Sequence, residues 1–265
     1  MSRLKRFVKI NSHNSFFKAL AGFGRSLNRY YENRNHDFKS NGEGTVLEKL
    51  ANFDPLIIID GGANIGNYSL QISKVIPEAI IYSFEPVDDT YNQLVNNTKE
   101  SPKIIPLNKG LFSKTCNKEI NIYRSHTHSS VYDIEGLPYE ALRKVPINLV
   151  KGDDFVKEYK IDRIDFLKID VEGSEFDVLT GFTDSFKRGI IRAVQFEYGY
   201  INITTKKLLI DFYKFFESHN YIVGKIFPKI VEFREYNYLY EDFIGPNFIA
   251  VNRSEEKLIR LLSKT

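Results

Sequence analysis

The sequence has one cysteine, Cys116, in 265 residues. It therefore cannot close an intramolecular disulfide, and no Cys and His residues stand at the spacing of a structural zinc site. A reducing cytoplasm is the expected setting. No apolar run approaches the roughly 20 residues that a membrane-crossing helix needs. There is no internal repeat and no low-complexity tract. Residues 3–31 carry many apolar side chains but do not read as a secretory signal, because Lys18 and Gly22 interrupt them and no small-residue cleavage site follows. Acidic residues are also scarce there. Residues 1–39 hold nine Lys/Arg against Glu32 and Asp37, a charge of +7, while the rest of the chain carries −4. A mildly acidic body argues against general nucleic-acid binding and leaves any affinity for anionic surfaces to the first forty residues.

What is present is organised around residues 56–66, L-I-I-I-D-G-G-A-N-I-G. The apolar run from Leu56 to Ile59 predicts a short buried strand that Asp60 ends. Gly61, Gly62 and Gly66 then permit a tight turn into a helix starting near Asn67. Glycine is needed because a side chain would hold the backbone away from a nucleotide, while the amides at the helix start donate to its polar groups. Asp60 discriminates between cofactors. A dinucleotide lays its pyrophosphate over the helix start, where a carboxylate repels it, whereas S-adenosylmethionine has a cationic amino-acid end and no phosphate. A second short strand, residues 80–84, ends at Glu85, about 20 residues or slightly more past the turn, where a carboxylate can accept both ribose hydroxyls. On this pattern alone, an NAD-type Rossmann oxidoreductase is the alternative.

From Thr45 onward helix and strand alternate. Helices are expected over 45–52, 67–75, 88–97, 174–182 and 205–218, and strands over 103–107, 164–169, 190–196, 221–227 and 247–251, with a tail helix over 255–262. This rhythm predicts an α/β fold with a doubly wound, mostly parallel sheet. Residues 108–150 interrupt it with two strand-like pieces, 119–123 and 146–150, around a polar segment, and read as an insertion over the strand tips. Residues 1–44 form a separate basic segment: helices over 3–31, then a polar link. These helices are expected to cap the sheet or the active site, with a basic amphipathic helix on a membrane surface as the alternative.

The string from Asp165 to Glu175, D-F-L-K-I-D-V-E-G-S-E, resembles the hallmark of FkbM-type S-adenosylmethionine-dependent methyltransferases. Around it, D-G-G-A-N-I-G is similar to that family's cofactor loop and F-E-P at 84–86 to its ribose-binding strand end. N-K-G-L-F-S at 108–113 is similar to its adenine-side segment, G-D-D-F at 152–155 to its acidic segment, and V-Q-F-E at 194–197 to the strand that follows. The resemblance covers about residues 56–198, within a domain expected to run over 45–265, and implies a class I, Rossmann-like methyltransferase fold with seven strands of which the last is antiparallel. It also implies S-adenosylmethionine as cofactor and methyl transfer to a hydroxyl oxygen of a sugar, glycan or natural product. With it, Asp60, Gly61, Gly62, Asn64, Gly66, Glu85 and Asn108 are the expected cofactor-binding residues.

Methyl transfer is an in-line displacement, so an acceptor hydroxyl must be aligned and relieved of its proton. Asp170, Glu172 and Glu197 at the strand tips, and His126 in the insertion, are the candidate catalytic residues. The alternatives are structural: any of the three carboxylates beside Lys168 as a partly buried ion pair, Glu172 as a cap of the following helix, and His126 with His128 as solvated loop residues. No metal site is expected, and a carboxylate or histidine base is preferred over a magnesium- or calcium-assisted route. The expected partner is a small-molecule or glycan substrate, and the N-terminal segment is available for homodimer contacts. Tyr236, Tyr238 and Tyr240 read as hairpin packing, with stacking of the exposed ones on a sugar ring as the alternative. A non-catalytic, cofactor-binding module acting at a membrane surface or in an assembly is the remaining alternative.

Overall fold

The computed structural model describes residues 2–53, 57–123, 129–134, 136, 140–245 and 247–264. In chain order it begins with three helices, α1 (Arg3–Asn11), α2 (Ser15–Tyr31) and α3 (Glu43–Leu50). The first βα units follow: β1 (Ile57–Gly61), α4 (Asn67–Val75), β2 (Ile80–Phe84), α5 (Asp88–Thr98) and β3 (Ile104–Leu107). A small sheet comes next, of β4 (Gly110–Phe112), β5 (Cys116–Ile122), β6 (Ser129–Ser130) and β7 (Arg143–Lys151). Alternation then resumes with α6 (Gly152–Glu158), β8 (Ile164–Ile169), α7 (Glu175–Gly181), α8 (Thr183–Lys187) and β9 (Ile191–Glu197). The chain ends with α9 (Asn202–Thr205), α10 (Leu209–Ser218), β10 (Tyr221–Ile226), β11 (Val231–Phe233), β12 (Asn247–Asn252) and α11 (Glu256–Leu262).

The main sheet has the order β11-β10-β12-β9-β8-β1-β2-β3. Strands β3, β2, β1, β8 and β9 run parallel, while β12 is antiparallel to both β9 and β10. This is the doubly wound, mostly parallel α/β sheet that the alternation predicts. It has eight strands where seven were expected, because the turn after β10 folds β11 back as an antiparallel edge strand.

Alternating side chains send the two faces into separate cores. Ile59, Leu167 and Val194 pack with α7, α8 and α10 on one face, and Ile58, Phe166 and Ala193 pack with α3, α4 and α11 on the other. Both faces are covered, which is why these strands read as nearly continuous apolar runs.

The N-terminal helices form, but the packing expected of them on the sheet does not. Neither α1 nor α2 has a buried residue. Their apolar side chains lie on one stripe with no neighbouring core, and the body is reached only at Glu32 and beyond. There Glu32 pairs with buried Lys225 at 2.7 Å, and the Asn33 amide donates to the carbonyls of Asn41 and Ile226.

Candidate functional site

A cavity of ≈ 680 Å³ opens at the C-terminal ends of β1, β2, β8 and β9. The strand order reverses between β1 and β8, and such a switch point leaves a crevice that neighbouring crossovers do not fill. The small sheet closes one side of it, contributing Ile120, Ser129, Ile147 and Leu149 to the lining, with Val131 just after β6.

The glycine turn forms the floor. Gly62 has φ +86°, and a Cβ there would stand 1.8 Å from the Asp170 carbonyl oxygen, so only glycine lets the turn reach the end of β8. Asn64, also left-handed at φ +50°, lines the cavity, whereas Gly66 serves packing: a Cβ there would meet Leu94 at 2.7 Å. Gly61 is a strand residue whose carbonyl accepts from Asp170 N–H.

Asp60 differs from expectation. It is fully buried and does not line the cavity, so it offers no direct contact to the cationic end of a ligand. The pleat turns its side chain under α4, where one oxygen accepts from Ser69 at 2.6 Å, while Oδ1 has no hydrogen-bond partner and lies 4.0 Å from Lys168 Nζ.

Asp60 belongs to a polar row that crosses the sheet. Strand register aligns Ser83, Asp60, Lys168 and Gln195 on β2, β1, β8 and β9. Lys168 is its centre, 2.9 Å from Asp170 Oδ2 and 4.7 Å above the Tyr68 ring. Burial works against the ammonium, but Asp170, Asp60 and Glu43 outweigh it and hold the lysine above its ordinary pKa. Gln195 donates to Glu43 at 2.5 Å and accepts from the Tyr68 hydroxyl at 3.2 Å. Burial raises the Asp60 carboxyl, partly offset by Lys168 and Ser69.

Glu85 lies at the end of β2 as expected and lines the cavity. Its Oε1 accepts from Val87 N–H at 2.9 Å; burial lifts its pKa to about 7 against the pull of the Val87 and Asn64 amides. Asn108 does not line the cavity. Its amide donates to Asp88 at 2.6 Å because the chain turns there from β3 into the small sheet.

The hallmark string makes a tight loop. Glu172 at φ +53° and Gly173 at φ +105° reverse the chain after Asp170, and the Glu175 carboxylate holds the loop by accepting from Val171 N–H (3.1 Å) and Gly173 N–H (3.0 Å). Burial raises Glu175 to about 7 despite these bonds. Asp170, Glu172 and Glu197 all line the cavity, and Ile169 pairs with Phe196, so Asp170 and Glu197 stand level on adjacent strand ends. Burial first, then the neighbouring Asp170, pushes the carboxyls of Glu172 and Glu197 well above the usual range. Among the described residues no group of three or more His, Cys, Asp or Glu is arranged to hold a metal ion. His126 and His128 lie outside the described residues.

Several cavity residues escaped the sequence reading. Arg34, His36, Asn41 and Glu43 come from the link before β1, and Asn202 and Asn247 from the far edge. A lysine inside F-L-K-I and a glutamine inside A-V-Q-F, each polar within a buried strand, are the signals that mark the polar row. Tyr236 and Tyr238 do not line the cavity; the Tyr236 hydroxyl donates to Glu241 at 2.9 Å.

Comparison with known proteins bears on this geometry. The Methyltransferase FkbM domain matches residues 60–240. A hexuronic acid methyltransferase, AglP, from Haloferax volcanii is 30% identical over 146 residues, 54% of this chain and 55% of its own. Methyltransferase sdnD from Sordaria araneosa is 31% identical over 153 residues, 47% of this chain and 59% of its own. The chain thus spans a little over half the length of these curated relatives. A solved FkbM methyltransferase from Methylobacillus flagellatus aligns with a TM-score of 0.47 at 18% identity, over 74% of this chain and 44% of that one. The FkbM match starts at the glycine turn and runs through both carboxylate-bearing strand ends: the chain belongs to the FkbM methyltransferase family, whose methyl donor is S-adenosylmethionine.

Proposed function

We propose that this chain transfers a methyl group from S-adenosylmethionine to a hydroxyl oxygen of a carbohydrate. The observation that carries the reading is the acid-lined cavity at the switch point, with Glu85 at one end and Asp170, Glu172 and Glu197 at the other. The residues present fit the cofactor. Glu85, braced by backbone amides, has acceptor capacity left for two ribose hydroxyls, and the carboxylates suit a ligand with cationic sulfonium and ammonium groups. The same acids oppose a pyrophosphate, which disfavours a nicotinamide dinucleotide. When bound, S-adenosylmethionine supplies an electrophilic methyl on sulfur.

The chain's own residues do the rest. Lys168 fixes Asp170 through their 2.9 Å ion pair, so Asp170 orients the site and is a weaker candidate for the base. Glu197 and Glu172 make no such ion pair with Lys168, and burial together with the neighbouring Asp170 raises their carboxyls, so their carboxylates are stronger proton acceptors than an ordinary glutamate. We assign the base to Glu197, which takes the hydroxyl proton onto a carboxylate oxygen as the acceptor oxygen gains its methyl. Asn202, Asn247 and His36 offer polar contacts to a hydroxyl-rich acceptor, and the hexuronic acid specificity in AglP's name supports a sugar.

The test is a screen with radiolabelled S-adenosylmethionine over nucleotide sugars, glycans and RNA. Label should enter carbohydrate; label entering RNA alone overturns the reading. The Glu197→Gln variant should keep its affinity for S-adenosylhomocysteine and lose turnover by about 10²- to 10⁴-fold.

A further inference from the structure

The observation outside the site is the pair of helices that the body leaves uncovered. In α2, Phe16, Leu20, Phe23, Leu27 and Tyr30 recur at helical spacing on one side and are 52% to 82% exposed. In α1, Leu4, Phe7 and Ile10 are 57% to 73% exposed, and Phe7 meets Phe17 of α2 edge-on at 6.2 Å between centroids, so the two helices share an apolar cluster. Contiguous apolar surface of this kind marks a binding face.

Charge identifies what covers it. Residues 2–31 carry seven cations, including Lys18, Arg25 and Arg29 on the side of α2 away from the stripe, and no acid. Two copies packed stripe to stripe would cover the apolar side but leave Lys18, Arg25 and Arg29 of each copy facing outward with no opposite charge, so a dimer accounts for the stripe and not for the cations. An anionic lipid surface satisfies both features. The apolar stripe enters the headgroup boundary, and the cations, about one helix diameter of 10 Å away, remain within roughly one Debye length of the lipid charge. We propose that α1 and α2 lie on an anionic membrane surface and hold the protein there.

The attachment is close to the cavity. Glu32 and Asn33 fix the end of α2 to β10, and His36 lines the cavity five residues after Tyr31, a chain reach of at most about 18 Å. The cavity mouth would thus be held near the lipid headgroups.

Flotation of the full chain with vesicles tests the proposal independently of catalysis. The protein should float with phosphatidylcholine/phosphatidylglycerol vesicles, remain behind with pure phosphatidylcholine, and be released by raised salt. The Leu20→Glu/Phe23→Glu variant, altered only at exposed positions, should keep its melting temperature and lose at least about tenfold in partitioning. Lys18→Glu/Arg25→Glu should weaken binding to the anionic vesicles. Equal binding to both vesicle types, or binding unaffected by the apolar variant, overturns the proposal. So does a dimer in light scattering that the apolar variant abolishes while no vesicle binding is seen, since the stripe then belongs to a second copy.

Discussion

At the scale of single residues, the site depends on close approaches that side-chain chemistry cannot substitute. Gly62→Ala would place a methyl against the Asp170 carbonyl at a left-handed φ, and should cost at least about 2 kcal/mol and abolish cofactor binding. Gly199, with open space around its Cβ position and an ordinary φ, is the internal control. Gly199→Ala should melt within a degree or so of the parent, and a comparison of the two melting temperatures checks both. Lys168 is the converse case. Lys168→Met would leave the fully buried Asp60, and the partly exposed Asp170 at the end of β8, without their cation, and should destabilise by about 3 kcal/mol in urea titration. If that variant unfolds at the parent's urea midpoint, the row contributes nothing to stability.

Elements differ in how firmly they are tied to the body. The helices α1 and α2 bury nothing, whereas Glu32, immediately after them, compensates a lysine that is only 2% exposed. Burial lowers the Lys225 pKa, and Glu32 opposes that shift. Deleting residues 2–31 should therefore leave the melting temperature of the body nearly unchanged. Glu32→Gln should lower stability by about 3 kcal/mol, because it strands a buried ammonium. Calorimetric melting of the two variants separates these outcomes, and a deletion that unfolds the body would show that the helices contribute to its core after all.

For the molecule as a whole, the concentration of buried acid sets the pH dependence. Glu85 and Glu175 have folded-state pKa values of about 7 against an ordinary 4.5. Below pH 4.5 both states hold the protons and nothing is lost. Between 4.5 and 7 the folded state keeps protons that the unfolded chain releases, so stability falls as pH rises, by at most about 3 kcal/mol per group. The melting temperature of the ligand-free protein should decline from about pH 5 to pH 8, and Glu175→Gln should flatten that decline. Ligand binding acts in the opposite direction. S-adenosylhomocysteine at about one hundred times its dissociation constant adds about 2.7 kcal/mol, or roughly 5 to 10 °C, while NADH should add nothing.

The local pattern of the chain determines its elements and the outline of its cofactor turn. Buried strands with both faces covered read as apolar runs, helices carry their period, and a glycine turn between the two has few alternatives; hence the parallel sheet and the placement of Gly62, Asn64 and Glu85 were legible at residues 56–85. The adjacency of Asp170 and Glu197 was legible as well, since parallel neighbours end level. Tertiary structure alone decided which partners meet across the chain. Glu43 reaches Gln195 from 152 positions away, and no local period records that contact. The pleat, fixed by packing against α4, turned Asp60 inward to Ser69 and away from the cavity. The amphipathic period of residues 3–31 predicts helices but does not name the surface their apolar stripe meets, because a sheet, a second copy and a lipid headgroup layer all reward the same spacing; only the fold, by burying none of it, removed the first.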